Sequence, residues 1–161
     1  MEIRTAELAD AEAIREIYNR EVTGSTVTFD LVPRTLPEQQ AWLTARSGAH
    51  TVLIGHEGPA VLGFASLSPY RDRPAYSTTV EDSIYVHRDH QGEGVGRALL
   101  STLIETAGAH GFHTVVARIV GGHEASIALH RSVGFGVVGT EREVGRKFGR
   151  WLDVVVMQRM L

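Results

Sequence analysis

Cysteine is absent from this chain of 161 residues. Disulfides, zinc–thiolate centres and thiol catalysis are therefore excluded, and the composition fits a reducing compartment. No apolar run approaches the roughly 20 residues that a membrane-spanning helix needs. Residues 1–7 carry acidic side chains and no apolar core, so we expect no signal peptide. These absences predict a cytoplasmic protein without a membrane partner.

A strong charge of either sign is also missing. The formal net charge is −3 at pH 7, which argues against the broad basic face of a nucleic-acid-binding protein. The pairs His87/His90 and His110/His113 have a spacing that metal ligands use, but no set of carboxylate or cysteine partners accompanies them. We therefore expect neither a nucleic-acid partner nor a metal. The length suits a single domain, residues 1–161.

The hydrophobic pattern predicts an α/β (α+β) fold with a single mixed central sheet and helices on both faces. Strands are expected at residues 2–5, 51–55, 60–67, 80–86, 114–119, 135–138 and 151–157. Helices are expected from Asp10, from Leu36, and over residues 95–110 and 124–133. Residues 22–34 look irregular, and a polar loop is expected between the last two strands. The strand–helix–strand unit over residues 80–119 should be parallel and right-handed.

A glycine-rich loop, Gln-Gly-Glu-Gly-Val-Gly at residues 91–96, joins a predicted strand to a predicted helix. Glycine lets the backbone approach a ligand closely. A helix start offers unpaired N–H groups and the positive end of the helix dipole. The loop is thus suited to a phosphate or diphosphate, and Arg88 and Arg97 add positive charge nearby.

Three phosphate-binding patterns compete for this loop. A Walker loop fails because Arg97-Ala98 follows the last glycine, where Lys-Ser or Lys-Thr is needed. A dinucleotide fingerprint fails because Arg97 or Leu99 stands where the third glycine belongs. The pattern Gln/Arg-x-x-Gly-x-Gly/Ala fits residues 91–96 without a gap, and it resembles the loop of the GNAT acetyltransferase superfamily that binds acetyl-CoA. A glycine turn that merely links strand to helix is the alternative.

Three further runs are similar to one GNAT branch, the phosphinothricin and methionine sulfone/sulfoximine N-acetyltransferases. They are Glu-Asp-Ser-Ile-Tyr-Val at 81–86, Ser-Ile-Ala-Leu-His-Arg-Ser-Val-Gly-Phe at 126–135, and Val-Gly-Arg-Lys-Phe-Gly-Arg-Trp-Leu-Asp-Val at 144–154. The resemblance extends from about Arg4 to Met160. His130 stands where most GNAT proteins have Tyr, as in this branch, whereas His123 replaces the usual Asn.

The resemblance implies the GNAT fold, a homodimer, and acetyl-CoA as co-substrate. The residues expected to bind the coenzyme are Ile84, Tyr85, Val86, Gln91, Gly92, Glu93, Gly94, Val95, Gly96, Arg97, His123 and Ser126. An Asn at position 123 would contact the pantetheine arm by donating and accepting hydrogen bonds. Neutral imidazole offers the same two functions, so His123 is expected to keep that contact.

Acetyl transfer to an amine requires a base, a site for the oxyanion and a way to accommodate the thiolate. We assign the base to Glu81 and the oxyanion site to backbone N–H groups of residues 84–86. His130 is expected either to protonate the leaving thiolate or to relay a proton from the amine. Tyr85 is a minor catalytic candidate. On the residues alone, Glu81 can equally be a strand-edge carboxylate paired with an arginine, and His130 a hydrogen-bonded core histidine.

Acceptor recognition is expected from Phe29, Arg71, Arg73, Glu81, Asp82 and Ser83. An arginine pairs well with the carboxylate of an amino acid, although Arg71 and Arg73 can also be solvated loop residues. The sequence thus predicts an N-acetyltransferase that acts on a small amino acid or analogue, by direct attack. The alternatives are acetylation of another amine, such as a peptide N-terminus or a polyamine, and a non-catalytic acetyl-CoA-binding module.

Overall fold

The computed structural model describes residues 1–46 and 48–161. Seven strands form one sheet, and four helices pack on it. The strands are β1 (Glu2–Thr5), β2 (Val52–Glu57), β3 (Ala60–Pro69), β4 (Thr79–Val86), β5 (Thr114–Val120), β6 (Gly136–Lys147) and β7 (Arg150–Met160). The helices are α1 (Ala11–Gly24), α2 (Leu36–Ala45), α3 (Val95–Ala109) and α4 (Glu124–Ser132).

The first two helices begin where the sequence predicts. Asp10 precedes α1 but its side chain makes no capping hydrogen bond; α1 buries the expected stripe of Ala11, Ile14, Ile17 and Tyr18. Thr35 caps α2 with a capping box, in which the Glu38 amide donates to Thr35 Oγ1 and the Thr35 amide donates to the Glu38 carboxylate. Among the described residues no helix combines the length and apolarity that crossing a membrane requires.

The sheet is mixed, as the sequence predicts. Its strand order is β1-β2-β3-β4-β5-β7-β6, and β4 and β5 are its parallel pair. Alternate residues of β2 and β3 face opposite sides. Leu53 and Ala65 join the core beneath α3 and α4, whereas Ile54 and Phe64 join the core beneath α1 and α2. Helices therefore cover both faces of the sheet, as expected.

The prediction of a polar loop between the last two strands is wrong. Residues 136–147 and 150–160 form a long antiparallel hairpin, closed by Phe148 and Gly149, whose φ angles are 50° and 70°. Most side chains of β6 are exposed, so its sequence lacks the alternation that marks a half-buried strand. The ladder with β7 holds these residues in extended form even where they bury little apolar surface.

Candidate active site

A cleft opens where two neighbouring strands part. β4 pairs with β5 only through residues Thr79–Glu81, opposite Thr114–Val116, whereas its pairing with β3 continues to Val86. Beyond Glu81 the β5-facing edge of β4 therefore has no ladder partner. The cleft there measures about 630 Å³, which is the size of a small-molecule site.

Many of the residues predicted from sequence line this cleft. They are Phe29, Glu81, Asp82, Ser83, Ile84, Tyr85, Val86, Gln91, His123, Ser126 and His130. Residues 92–97 continue from Gln91 into the first turn of α3. Arg71 and Arg73 lie outside the lining of the cleft, on the segment between β3 and β4. The Arg71 guanidinium lies over the rings of Tyr70 and Tyr76, 4.9 and 5.7 Å from their centroids.

Gly92 and Gly94 have the backbone conformation that favours glycine. Their φ angles are 81° and 85°, and a Cβ built on either residue meets no atom within 4 Å. The first hydrogen bond of α3 runs from the Ala98 amide to the Gly94 carbonyl, at 3.1 Å, so the preceding helical amides have no partner within the helix. Open space beside these glycines and amides without a helical partner are the features that a diphosphate site needs.

Gly96 serves a different purpose from the other two glycines. A Cβ at this position would lie 3.2 Å from Leu129 Cδ2 and 3.4 Å from Val86 Cγ2. The missing side chain therefore lets the first turn of α3 fit closely between α4 and the end of β4. The glycine that the sequence pattern assigns to ligand approach therefore also has a packing role.

Glu81 stands at the last position where β4 pairs with β5, and the cleft begins there. Burial raises the pKa of the Glu81 carboxyl, and the neighbouring charge of Asp82 acts in the same direction, while the Arg118 guanidinium opposes them. A carboxylate with a raised pKa is a better proton acceptor near neutral pH. The position and environment of Glu81 are therefore suited to general-base chemistry.

Tyr85 packs within an aromatic cluster. Its ring stacks on Phe64 at 5.3 Å and meets the edge of Tyr18 at 5.2 Å between centroids. Burial raises the pKa of the Tyr85 hydroxyl, so the phenol stays protonated at neutral pH. This environment favours a packing role for the ring; a direct part in catalysis remains a prediction.

The two histidines of the site have different surroundings. Burial lowers the pKa of His123, with Glu21 opposing this shift, so its imidazole is neutral at physiological pH, as a contact to the pantetheine arm needs. His130 is only 2% exposed. Its Nε2 lies 2.9 Å from Asp82 Oδ2, and its ring meets Phe135 edge-on at 5.0 Å.

Arg118 is a cleft residue that the sequence analysis missed. It lies on β5 and lines the cleft, two residues beyond Val116, which is the Cα partner of Glu81. Because side chains alternate along a strand, Arg118 lies on the same face of the sheet as Glu81. Its guanidinium also contacts Glu141 at 2.5 Å. The sequence does contain a signal for this residue, because Arg118 interrupts the apolar run at residues 115–120.

Glu21 links α1 to the segment before the glycine loop and was also missed. Its carboxylate accepts from Arg88 Nε at 2.8 Å and from Ser25 Oγ at 2.5 Å. Burial acts to raise the pKa of Glu21, but these hydrogen bonds outweigh it and the pKa is lowered. Arg88 is therefore ion-paired with Glu21. The pair holds in place the segment that leads into the glycine loop.

A second set of contacts holds the segment that carries Phe29. Lys147 is 3% exposed, and its Nζ donates to the Thr28 carbonyl at 2.8 Å. The Phe29 ring lies on Gly145, where an added Cβ would come within 2.3 Å of Phe29 Cε2. The β6–β7 hairpin thus positions one wall of the cleft.

Comparison with known proteins identifies the class to which this fold and cleft belong. The acetyltransferase (GNAT) domain family matches residues 3–156. The chain belongs to the GNAT acetyltransferase family. The expected fold and enzyme class are therefore confirmed, as is the resemblance to the phosphinothricin and methionine sulfone/sulfoximine branch.

Two curated relatives match along the chain. The L-amino acid N-acyltransferase MnaT of Escherichia coli (strain K12) is 44% identical over 162 residues, covering 100% of this chain and 94% of the relative. A methionine sulfoximine/methionine sulfone acetyltransferase of Pseudomonas paraeruginosa is 43% identical over 158 residues, covering 97% and 92%.

Solved structures agree in fold. A phosphinothricin acetyltransferase of Sinorhizobium meliloti, solved with acetyl-CoA, has a TM-score of 0.95 at 39% identity, over 99% of this chain and 88% of that chain. A ribosomal-protein-alanine N-acetyltransferase of Brucella melitensis has a TM-score of 0.98 at 40% identity, over the whole of both chains.

Proposed function

We propose that the protein transfers acetyl from acetyl-CoA to the amino group of a small amino acid or analogue, such as phosphinothricin or methionine sulfone/sulfoximine. The observation that carries this proposal is the position of Glu81 at the point where β4 and β5 part. A half-buried carboxylate lies there beside an unpaired strand edge, and the glycine loop follows the end of that strand. The named activities of the relatives support the same reaction class.

The coenzyme is assigned to the glycine loop and the edge of β4. The amides of residues 92–97 bind its diphosphate, the edge over residues 84–86 lies along the pantetheine arm, and His123 and Ser126 contact that arm from α4. Bound acetyl-CoA supplies an activated acetyl carbon as a thioester. The loop conformation and the open space beside Gly92 and Gly94 support this assignment.

Glu81 removes a proton from the acceptor ammonium, and the free amine then attacks the acetyl carbon directly. Unpaired N–H groups at the edge of β4 hold the tetrahedral oxyanion; one such donor is worth roughly 3 kcal/mol. No cysteine is present to form an acyl-enzyme. The position of the base, the shape of the edge and the absence of a thiol all favour a one-step transfer.

The acceptor is placed on the Glu81 side of the sheet, between the Phe29 ring and Arg118. An α-amino acid carries a carboxylate beside its amine. The Arg118 guanidinium, which also pairs with Glu141, is a cation of the cleft lining that influences the Glu81 carboxyl. Arginine binds carboxylates through paired hydrogen bonds. Arg118 is therefore a candidate anchor for the carboxylate of the acceptor. Arg71 and Arg73 are also candidates, although both lie outside the cleft of a single chain.

Replacing Arg118 by Gln is expected to raise KM about tenfold or more for amino-acid acceptors, because a charge-assisted contact worth roughly 1.5–3 kcal/mol is lost. The corresponding amino-acid amides should show little change. Steady-state kinetics on matched acid and amide acceptors measures the difference. Arg71→Ala and Arg73→Ala, tested in parallel, show whether those arginines also select carboxylates. Equal effects of Arg118→Gln on acids and amides would remove the anchor role.

The function itself is tested by a thiol-release assay with acetyl-CoA. The panel contains amino acids, methionine sulfone, methionine sulfoximine, phosphinothricin, a polyamine and a short peptide with a free N-terminus. Faster release with the small amino acids and their analogues supports the proposal. Preference for the peptide favours the second candidate, acetylation of a protein N-terminus, which the name of the Brucella relative supports. Coenzyme binding without release with any acceptor favours a non-catalytic module.

We further propose a cytoplasmic homodimer without nucleic-acid or membrane partners. The β6–β7 hairpin exposes Val138, Val144, Phe148 and Trp151, each at least 55% accessible, and an element that exposes several large apolar groups is a candidate interface. Sedimentation equilibrium should give a molecular mass of about 35 kDa, twice the 17.6 kDa of one chain. The variant Trp151→Glu should sediment with the mass of a single chain. A wild-type chain that sediments as a monomer would contradict the dimer.

A further inference from the structure

The pair of Asp82 and His130 is the most deeply buried ionisable contact in the cleft. Asp82 is 6% exposed and His130 2%. His130 Nδ1 lies 2.7 Å from the Ser126 carbonyl oxygen, and Nε2 lies 2.9 Å from Asp82 Oδ2. A carbonyl and an ionised carboxylate only accept hydrogen bonds, so each ring nitrogen needs its own proton to complete these contacts.

The surroundings favour a charged ring over a neutral one. Burial disfavours the imidazolium, but the hydrogen bond and the charge of Asp82, together with the hydrogen bond to the Ser126 carbonyl, outweigh it, and the pKa of His130 is raised. The other titratable groups around the pair are Glu81 on β4, Arg118 on β5 and His123 before α4, of which His123 is neutral. The buried side chains of α3, which packs against α4, are all apolar. Asp82 is thus the group that keeps the second proton, the one on Nε2, on the His130 ring.

We propose that Asp82 is a positioning residue that fixes His130 in the cleft as an imidazolium. This inference rests on the acetyl-transfer function proposed above. Both ring N–H groups are already donated, to Ser126 and to Asp82, so His130 acts through its charge. When the carbon–sulfur bond breaks, its electron pair stays on sulfur, and the imidazolium stabilises the resulting thiolate. The proton lost by the amine goes to Glu81.

The role of the pair differs from the two that the sequence suggests for His130, which are proton donation to the thiolate and relay of a proton from the amine. Donation by either ring nitrogen would break a buried hydrogen bond and leave Asp82 or the Ser126 carbonyl unsatisfied, at a cost of about 1–3 kcal/mol. Asp82 Oδ1 already has no partner among the described residues. The pair therefore keeps its proton throughout the reaction.

The test is ring ¹⁵N NMR of histidine-labelled protein, with kinetics of Asp82→Asn. In the wild type, His130 should still carry protons on both ring nitrogens at pH 7, where a free histidine has mostly lost one. In Asp82→Asn the side-chain amide donates to Nε2, so the ring becomes neutral at pH 7. The value of kcat should fall about tenfold or more, approaching the loss of about 10²–10³ that follows removal of a direct oxyanion donor. The KM values for acetyl-CoA and for the acceptor should both stay within about twofold.

Asp10→Asn is the matched control. Asp10 is 8% exposed and pairs with Arg4 at 2.8 Å outside the cleft, so this variant should lose stability without changing kcat or the His130 signals. A wild-type His130 with a single ring proton at pH 7 would overturn the proposal, and so would an Asp82→Asn variant with a neutral ring and unchanged kcat. The wild-type spectra need no variant and no acceptor, so they decide the protonation state independently of the acceptor panel.

Discussion

Glu81→Gln should lower kcat by about 10²–10⁴, the usual contribution of a positioned general base. The amide has nearly the same shape as the carboxylate but does not accept the proton of an ammonium. The affinity for acetyl-CoA should stay within about twofold, because the glycine loop that binds the diphosphate is untouched. Stopped assays of thiol release give kcat, and calorimetry gives the affinity.

The pH profile supplies a second measurement of the same residue. A base must be deprotonated to act, so the wild-type rate should fall as the pH drops through the pKa of Glu81. Burial raises that pKa, so the fall should begin above the ordinary glutamate value of about 4.3. In Glu81→Gln this acidic limb should disappear.

A suitable control for this variant is Glu12→Gln, on the outer surface of α1. Glu12 also forms an ion pair, with Arg15 at 2.6 Å, but it does not line the cleft. Its kcat and pH profile should match those of the wild type. If Glu81→Gln retains full activity across the pH range, the base lies elsewhere and the proposed mechanism is incorrect.

The sequence predicted the parts of the site that form continuous runs. The glycine loop and the 81–86 run could be recognised because strand, loop and helix follow one another within a few residues. The same is true of His123, Ser126 and His130, which lie on or next to one short helix. Local order along the chain is enough to place such residues on one surface.

The contacts that set the chemistry of these residues are not local. Asp82 and His130 are 48 residues apart, Glu21 and Arg88 are 67 apart, and Lys147 and Thr28 are 119 apart. Each pair forms only when the sheet brings its strands and helices together. Sequence could therefore name His130 as important without finding the carboxylate that fixes its charge.

The arginines show that closeness in sequence can also mislead the choice of site residues. Arg71 and Arg73 looked suitable because they precede the β4 strand, but this proximity in sequence does not bring them into the cleft of one chain. Arg118 lies in the cleft because β5 runs parallel to β4 and then diverges from it. The divergence depends on the pairing register, which no single run of residues reveals.

Gly94→Val should weaken acetyl-CoA binding about tenfold or more, which corresponds to roughly 1.4 kcal/mol. Gly94 has φ 85° at the start of α3, and a β-branched residue tolerates that conformation poorly, at a cost of roughly 1–2 kcal/mol. The loop should relax and turn its amides away from the diphosphate. Titration calorimetry measures the loss, and kcat at saturating coenzyme should be nearly unchanged because Glu81 stays in place.

Gly111→Val separates loss of the binding geometry from simple backbone strain. Gly111 also has φ 85° and open space around its Cβ position, but it lies just beyond the opposite end of α3. Both variants should lose a similar amount of thermal stability, whereas only Gly94→Val should lose affinity. If both bind acetyl-CoA as the wild type does while equally destabilised, the amides of residues 92–97 do not hold the diphosphate. Because the two glycines share conformation and helix, a difference in affinity between their variants can only come from what the N-terminal loop presents to the coenzyme.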